Sequence, residues 1–134
     1  MHRTLTAALI PFMLAVPAHA VDGDAGRGAV LFGENCAGCH GVTAMGDGPM
    51  AEILSIAPPD LTGLAQRTGG AFRADDVVRQ IDGRDMILSH GGPMPIFGHI
   101  LEGGSAVVDD VSGAPVFTTS AVLDIVTWLE DIQR

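Results

Sequence analysis

The chain has 134 residues, with sixteen acidic side chains against seven basic ones, and carries a formal net charge of −9. That balance argues against nucleic acid or an anionic membrane as partner, and leaves two readings: a docking site for a basic protein, or a solvated acidic exterior. With one Trp, five Phe and no Tyr beside 18 Gly and eight Pro, the core is thin for its length unless something other than side chains fills it.

Residues 1–20 read as a secretory signal peptide. Arg3 and the amino terminus make a short positive start, residues 5–16 are mostly apolar, and Ala18-His19-Ala20 is a small-residue cleavage site. A retained anchor needs about 20 apolar residues; this run is shorter and carries Pro11 and Pro17. Cleavage after Ala20 would leave 21–134 as one domain of a soluble protein in the bacterial periplasm. No later segment has the length and hydropathy to span a bilayer.

The spacing predicts a first helix over 24–36, capped by Asp22 or Asp24, with Ala25, Gly28 and Phe32 on one face. Residues 41–59 are mainly loop, with a helical turn after Pro49, which suits a first helical position, and a second turn over 61–66. A helix over 75–81 follows: Asp75 caps it, Val77, Val78 and Ile81 share a face, and Gly83 stops it. Glycines and prolines exclude regular structure from 84 to 98. Alternating glycine, valine and aspartate over 102–117 predict a small hairpin. The last helix, 120–133, has a broad apolar stripe of Val122, Ile125, Val126, Leu129 and Ile132, with Trp128 on its flank.

Both cysteines stand in Cys36-Ala37-Gly38-Cys39-His40. A thioredoxin-like redox pair needs a surrounding βαβ pattern, and none is present in the sequence. A structural zinc needs a second Cys/His pair, also lacking. A disulfide closing so small a loop would stabilise little. Covalent haem attachment fits the spacing: two thioethers reach the porphyrin vinyl groups, and the adjacent imidazole coordinates iron. Such attachment takes place outside the bacterial cytoplasm, in line with export. An enclosed macrocycle would also supply the buried apolar surface that aromatic side chains do not.

On these residues the chain resembles the class I single-haem cytochromes c over most of 24–134. The resemblance implies an all-α fold, three to five short helices wrapped around one covalently attached haem c, with the amino- and carboxy-terminal helices crossing. Gly28 and Phe32, eight and four residues before Cys36, match the family's helix-crossing pair, and Ile125 and Trp128 would be their partners. The segment "PPDLTGLAQRTG" is similar to the family's stretch beneath the haem. Its proline is matched by Pro59 or Pro58, where a backbone carbonyl would accept the hydrogen bond of the proximal histidine, His40. Arg67 falls where the family places an arginine near a haem propionate; an exposed loop arginine is the other reading. Residues 46–57 are longer than in compact members.

For the distal ligand, Met94 lies in "GGPMPIFGH", a loop bracketed by glycine and proline before the last helix, as the family's ligand methionine does. His90 and Met86 are its rivals, and His90 would give a bis-histidine iron of lower potential. Met45 and Met50 follow His40 too soon to cross to the opposite face, and His99 reads as exposed. The resemblance then implies an electron carrier and not an enzyme, a monomer that meets other redox proteins through a basic surface on their side. Two alternatives stand beside it. One is an electron-relay subunit of a larger dehydrogenase or oxidase complex, for which 102–117 is a candidate docking element, a tolerated surface loop being its other reading; the other is a haem protein with an open distal site for gas binding or peroxidase chemistry.

Overall fold

The computed structural model describes residues 22–83 and 94–134. The expected signal peptide and the rival ligands Met86 and His90 lie outside the described residues.

Helix α1 (Ala25–Asn35) starts where the Asp24 carboxylate accepts the Arg27 N–H at 3.0 Å, so of the two expected caps Asp24 is the one used. Its last turn runs directly into α2 (Ala37–His40): the Cys36 N–H donates to the Phe32 carbonyl at 2.8 Å, and the His40 N–H to the Cys36 carbonyl at 2.9 Å. Cys36, Cys39 and His40 therefore share one turn. Helix α5 (Ser120–Asp131) is capped by the Thr119 hydroxyl, which accepts from the Val122 N–H at 3.2 Å, and its apolar stripe is buried.

The buried face of α1 packs on α5. At Gly28 the two backbones meet: a methyl there would overlap the Asp124 carbonyl oxygen and stand 2.5 Å from its carbon. One turn on, the Phe32 and Trp128 rings lie 4.6 Å apart between centroids, tilted by 43°. The glycine–aromatic pair expected from the sequence thus forms. Gly28→Ala is expected to destabilise the fold by about 3 kcal/mol, the upper part of the usual overpacking range, because the obstacle is backbone and cannot swing away. Alanine's helix propensity returns only about 1 kcal/mol of that. Thermal unfolding of the holoprotein measures it, and an unchanged Tm would show that the helices do not touch at Gly28.

Asp124 is a second feature of this contact. It is only 1 % exposed, inside the apolar stripe of α5, and accepts the Asp24 N–H at 2.8 Å and the Arg27 guanidinium. A buried carboxylate stays tolerable when it is paired and hydrogen-bonded in this way.

Residues 60–67 form a 3-10 turn (Leu61–Gly63) running into α3 (Leu64–Arg67). The carboxy-terminal tail clasps this segment. The Arg134 N–H donates to the Thr62 carbonyl at 3.0 Å, Gln133 Oε1 accepts the Ala65 N–H at 2.9 Å, and Gln133 Nε2 donates to the Leu61 carbonyl at 2.9 Å.

Helix α4 (Ala74–Asp82) starts one residue before the expected position, and its cap is a correction. Arg73 occupies the cap position and makes no side-chain capping bond; Asp75 lies inside the first turn, where it pairs with Arg73 Nε at 3.3 Å. Gly83 ends α4 in the left-handed conformation, φ 72°, as its lack of a side chain permits. The expected hairpin forms further along than 102–117. Strands β1 (Ser105–Asp109) and β2 (Pro115–Thr119) pair antiparallel, Val107 opposite Phe117. Ala106, Val116 and Thr118 face inward, and the Thr118 hydroxyl lies 3.3 Å from Asp82 Oδ1 on α4. The hairpin is therefore packed on the body of the domain, and its turn is tied to α4 by Arg79 and Asp110, 3.8 Å apart.

Candidate cofactor site

Two cavities meet inside this frame. One, of about 360 Å³, has apolar walls from Phe32, Leu61, Leu64, Val77, Ile81 and Leu129, and among its polar lining are Arg67, Arg73, Asp76 and Gln80. The other, of about 520 Å³, is lined by Cys39, Met50, Ile53, Leu54, Pro59 and Phe97 among others. Cys36, His40 and Met94 line both.

Local sequence explains how the first wall is built. The chain after His40 folds back over the Cys36–His40 turn: the Gly46 N–H donates to the His40 carbonyl (2.8 Å), Gly48 to Cys39 (3.2 Å) and Met50 to Gly38 (2.9 Å). This wrap carries Met50 and the 3-10 turn Ala51–Ile53 to the edge of the larger cavity. Met50 therefore lines the larger cavity while staying exposed, and Met45 and His99 are exposed as well. His40 is 7 % exposed, its ring 6.4 Å from that of Phe32. The two thiols are not joined to each other. Burial, and after it the neighbouring Cys39, push the Cys36 thiol up to about 11. In the chain alone it is therefore a protonated thiol at neutral pH, a poor partner for disulfide exchange.

The sequence-predicted residues come together. Pro58 and Pro59 line the larger cavity beside His40, and Arg67 lines the smaller one. Arg67 is exposed, and its Nη1 donates to the Asp60 carbonyl at 2.9 Å. The Asp60 carboxyl is held below the usual carboxylate range by the Thr62 hydroxyl and N–H, and further by Arg134 and Arg67. Sequence reasoning did not find Arg73, Asp76 and Gln80 on the cavity. The signal was present, since they lie within one turn of Val77 and Ile81 on α4, but periodicity alone assigns such side chains to solvent.

The donor set defines what fits. Among the described residues no group of three or more His, Cys, Asp and Glu is arranged to hold a metal ion by itself. Two thiols on one turn, an imidazole and a thioether beside large apolar cavities suit a metal that brings its own in-plane donors on an apolar macrocycle. Thioethers would tether such a group and guanidinium would offset its carboxylates. No helix of the described residues is long and apolar enough to cross a membrane.

A family model described as Cytochrome c matches residues 25–97. No curated protein and no solved structure matches the chain.

Proposed function

The chain belongs to the cytochrome c family, which carries covalent haem c and transfers electrons, and from that premise we propose that it is a periplasmic one-electron carrier with His40 and Met94 as axial ligands. The observation that carries this reading is the sharing of Cys36, His40 and Met94 by both cavities, which puts tether, imidazole and thioether around one space. When bound, haem supplies one-electron oxidation and reduction. The chain's own contribution is positional. Cys36 and Cys39 hold the group on a turn that is itself anchored to α1. The backbone wrap from Gly46 to Met50 holds His40 in place. Leu61, Leu64, Val77, Ile81 and Leu129 keep water from one side, and Arg67 offers its guanidinium to a carboxylate. With nitrogen and sulfur both supplied by the protein, no position is left for a substrate, which suits outer-sphere electron transfer.

The surface supports a partner of opposite charge. Ile53 and Ile56, 76 % and 48 % exposed, stand beside the larger cavity and offer apolar contact. The net charge of −9 would draw a basic protein towards it. Stopped-flow mixing of the ferrous protein with a basic one-electron acceptor protein is expected to oxidise it rapidly, at a rate that falls as salt rises from about 10 to 200 mM and the Debye length shrinks from about 30 Å to below 8 Å. Failure to give up the electron would overturn the carrier reading; a flat salt profile would overturn the charge-steered partner.

A further inference from the structure

The β1–β2 hairpin is apolar on both of its faces. Ala106, Val116 and Thr118 point inward and pack it on the domain. The opposite face carries Val107 and Phe117, directly across from each other in the register and 45 % and 61 % exposed. Pro115 shares that face, and Val111 is exposed in the turn beyond. A strand with one face in water ordinarily alternates apolar and polar side chains, and an uncovered apolar pair on a lone two-stranded sheet is a liability. The inward face does not require it. The hairpin is also well tied down. Asp110 Oδ1 accepts the Ser112 and Ala114 N–H groups at 2.7 and 2.9 Å. At the other end the Thr119 hydroxyl donates to the Leu101 carbonyl and the Ser120 N–H to the Gly104 carbonyl, both at 2.8 Å. Such a surface loses little conformational freedom on binding.

We propose that this outward hairpin face docks a partner protein presenting an apolar socket fringed with lysine or arginine. Charge selects that occupant. Glu102 stands just ahead of β1, Asp109 shares the face of Val107, and the sequence has no lysine or arginine between Arg84 and Arg134. Arg79, which reaches the turn, is paired with Asp110. A second copy of the chain would bring like carboxylates against these, which disfavours it. Phe117 at the centre supplies affinity, and the carboxylates around it supply steering and choice of partner. No hairpin residue lines either cavity, so this face shares nothing with Ile53 and Ile56 beside the larger one. Resting on the carrier reading, the chain stays held at the hairpin while electrons pass beside Ile53 and Ile56, as suits a relay within a larger assembly.

The test puts a photoreactive benzophenone side chain in place of Phe117 in the holoprotein and, as control, in place of Val30, an exposed residue of α1. Irradiation in a periplasmic extract of the native host should join the hairpin position, and not the helix position, to one protein through a segment rich in lysine or arginine. That protein is then purified and titrated with the unsubstituted holoprotein and with its Phe117→Ser and Val107→Ser variants. Both substitutions lie on the solvent face, so helix content, haem spectrum and the rate of oxidation by ferricyanide should stay as they are. Affinity should fall by about tenfold or more with Phe117→Ser, the scale of an aromatic anchor, and by less with Val107→Ser. It should also fall as salt rises from about 10 to 200 mM. Binding indifferent to Phe117→Ser or to salt would overturn the proposal. So would a crosslink to a second copy of the chain, the same products from both positions, or no product. A ferrous holoprotein that cannot pass its electron to ferricyanide would instead remove the carrier reading and leave the docking face standing.

Discussion

The double substitution Cys36→Ala and Cys39→Ala is expected to yield a chain from which acid–acetone extracts all of the haem, and whose mass is that of the polypeptide alone. The two sulfurs sit on the single turn joining α1 to α2, and nothing else in the described cavities offers a covalent tether. The expected loss reaches beyond the cofactor. A chain denied it would have to keep a lobe of about 360 Å³ open between α1, α4 and α5. The apolar burial lost with it is large beside the whole stability of a domain of this size, about 5–15 kcal/mol. Circular dichroism should therefore show most of the helix lost at ambient temperature. Haem that stays on the doubly substituted chain after extraction would contradict thioether attachment at these positions. Full helicity without haem would show that the side chains close the cavity unaided.

Met94→Ala is expected to remove the ferric charge-transfer band that marks sulfur on iron and to lower the reduction potential. Methionine opposite histidine raises the potential, and axial ligands span a range of about 0.8 V, so the drop should be large on that scale. The same variant should let carbon monoxide bind the ferrous protein at neutral pH, which the unsubstituted protein should resist. Met94 lines both cavities and its segment is seated on α4, so removing its side chain opens the site without dismantling the loop. A variant with an unchanged spectrum would transfer the ligand role to another side chain, with His90 and Met86 next in line. Ready carbon monoxide binding by the unsubstituted protein would favour an open distal site.

Much of this was legible in the residues, for local reasons. The Cys36–His40 spacing belongs to one helical turn, and a turn is a local object. Gly28 and Phe32, and the stripe from Val122 to Leu129, follow the period of a helix that buries one face. The Asp24 cap and the Gly83 stop depend on neighbours a few residues away. Elsewhere the local signal misled. Asp75 resembled a cap because an acidic residue ahead of an apolar run ordinarily is one; ion pairing to Arg73 inside the first turn uses it instead. The hairpin was displaced along the chain because valine, glycine and aspartate mark strands and turns without setting their register. Its register follows from Ala106, Val116 and Thr118 turning towards the domain.

By itself the sequence determined what each stretch could be: two strong helices, a tether for haem in one turn, and a loop carrying a thioether. Tertiary structure alone decided which distant groups meet. The pairing of the buried Asp124 with the exposed Arg27 spans 97 positions, Gln133 and Arg134 clasp a segment about 70 residues earlier, and Gln80 is brought to Met94 across the end of α4. Hydrogen bonds and apolar contacts act over a few ångströms of space, and sequence periodicity reports only neighbours along one element. Which polar side chain becomes a partner and which remains in water is therefore set when the elements pack.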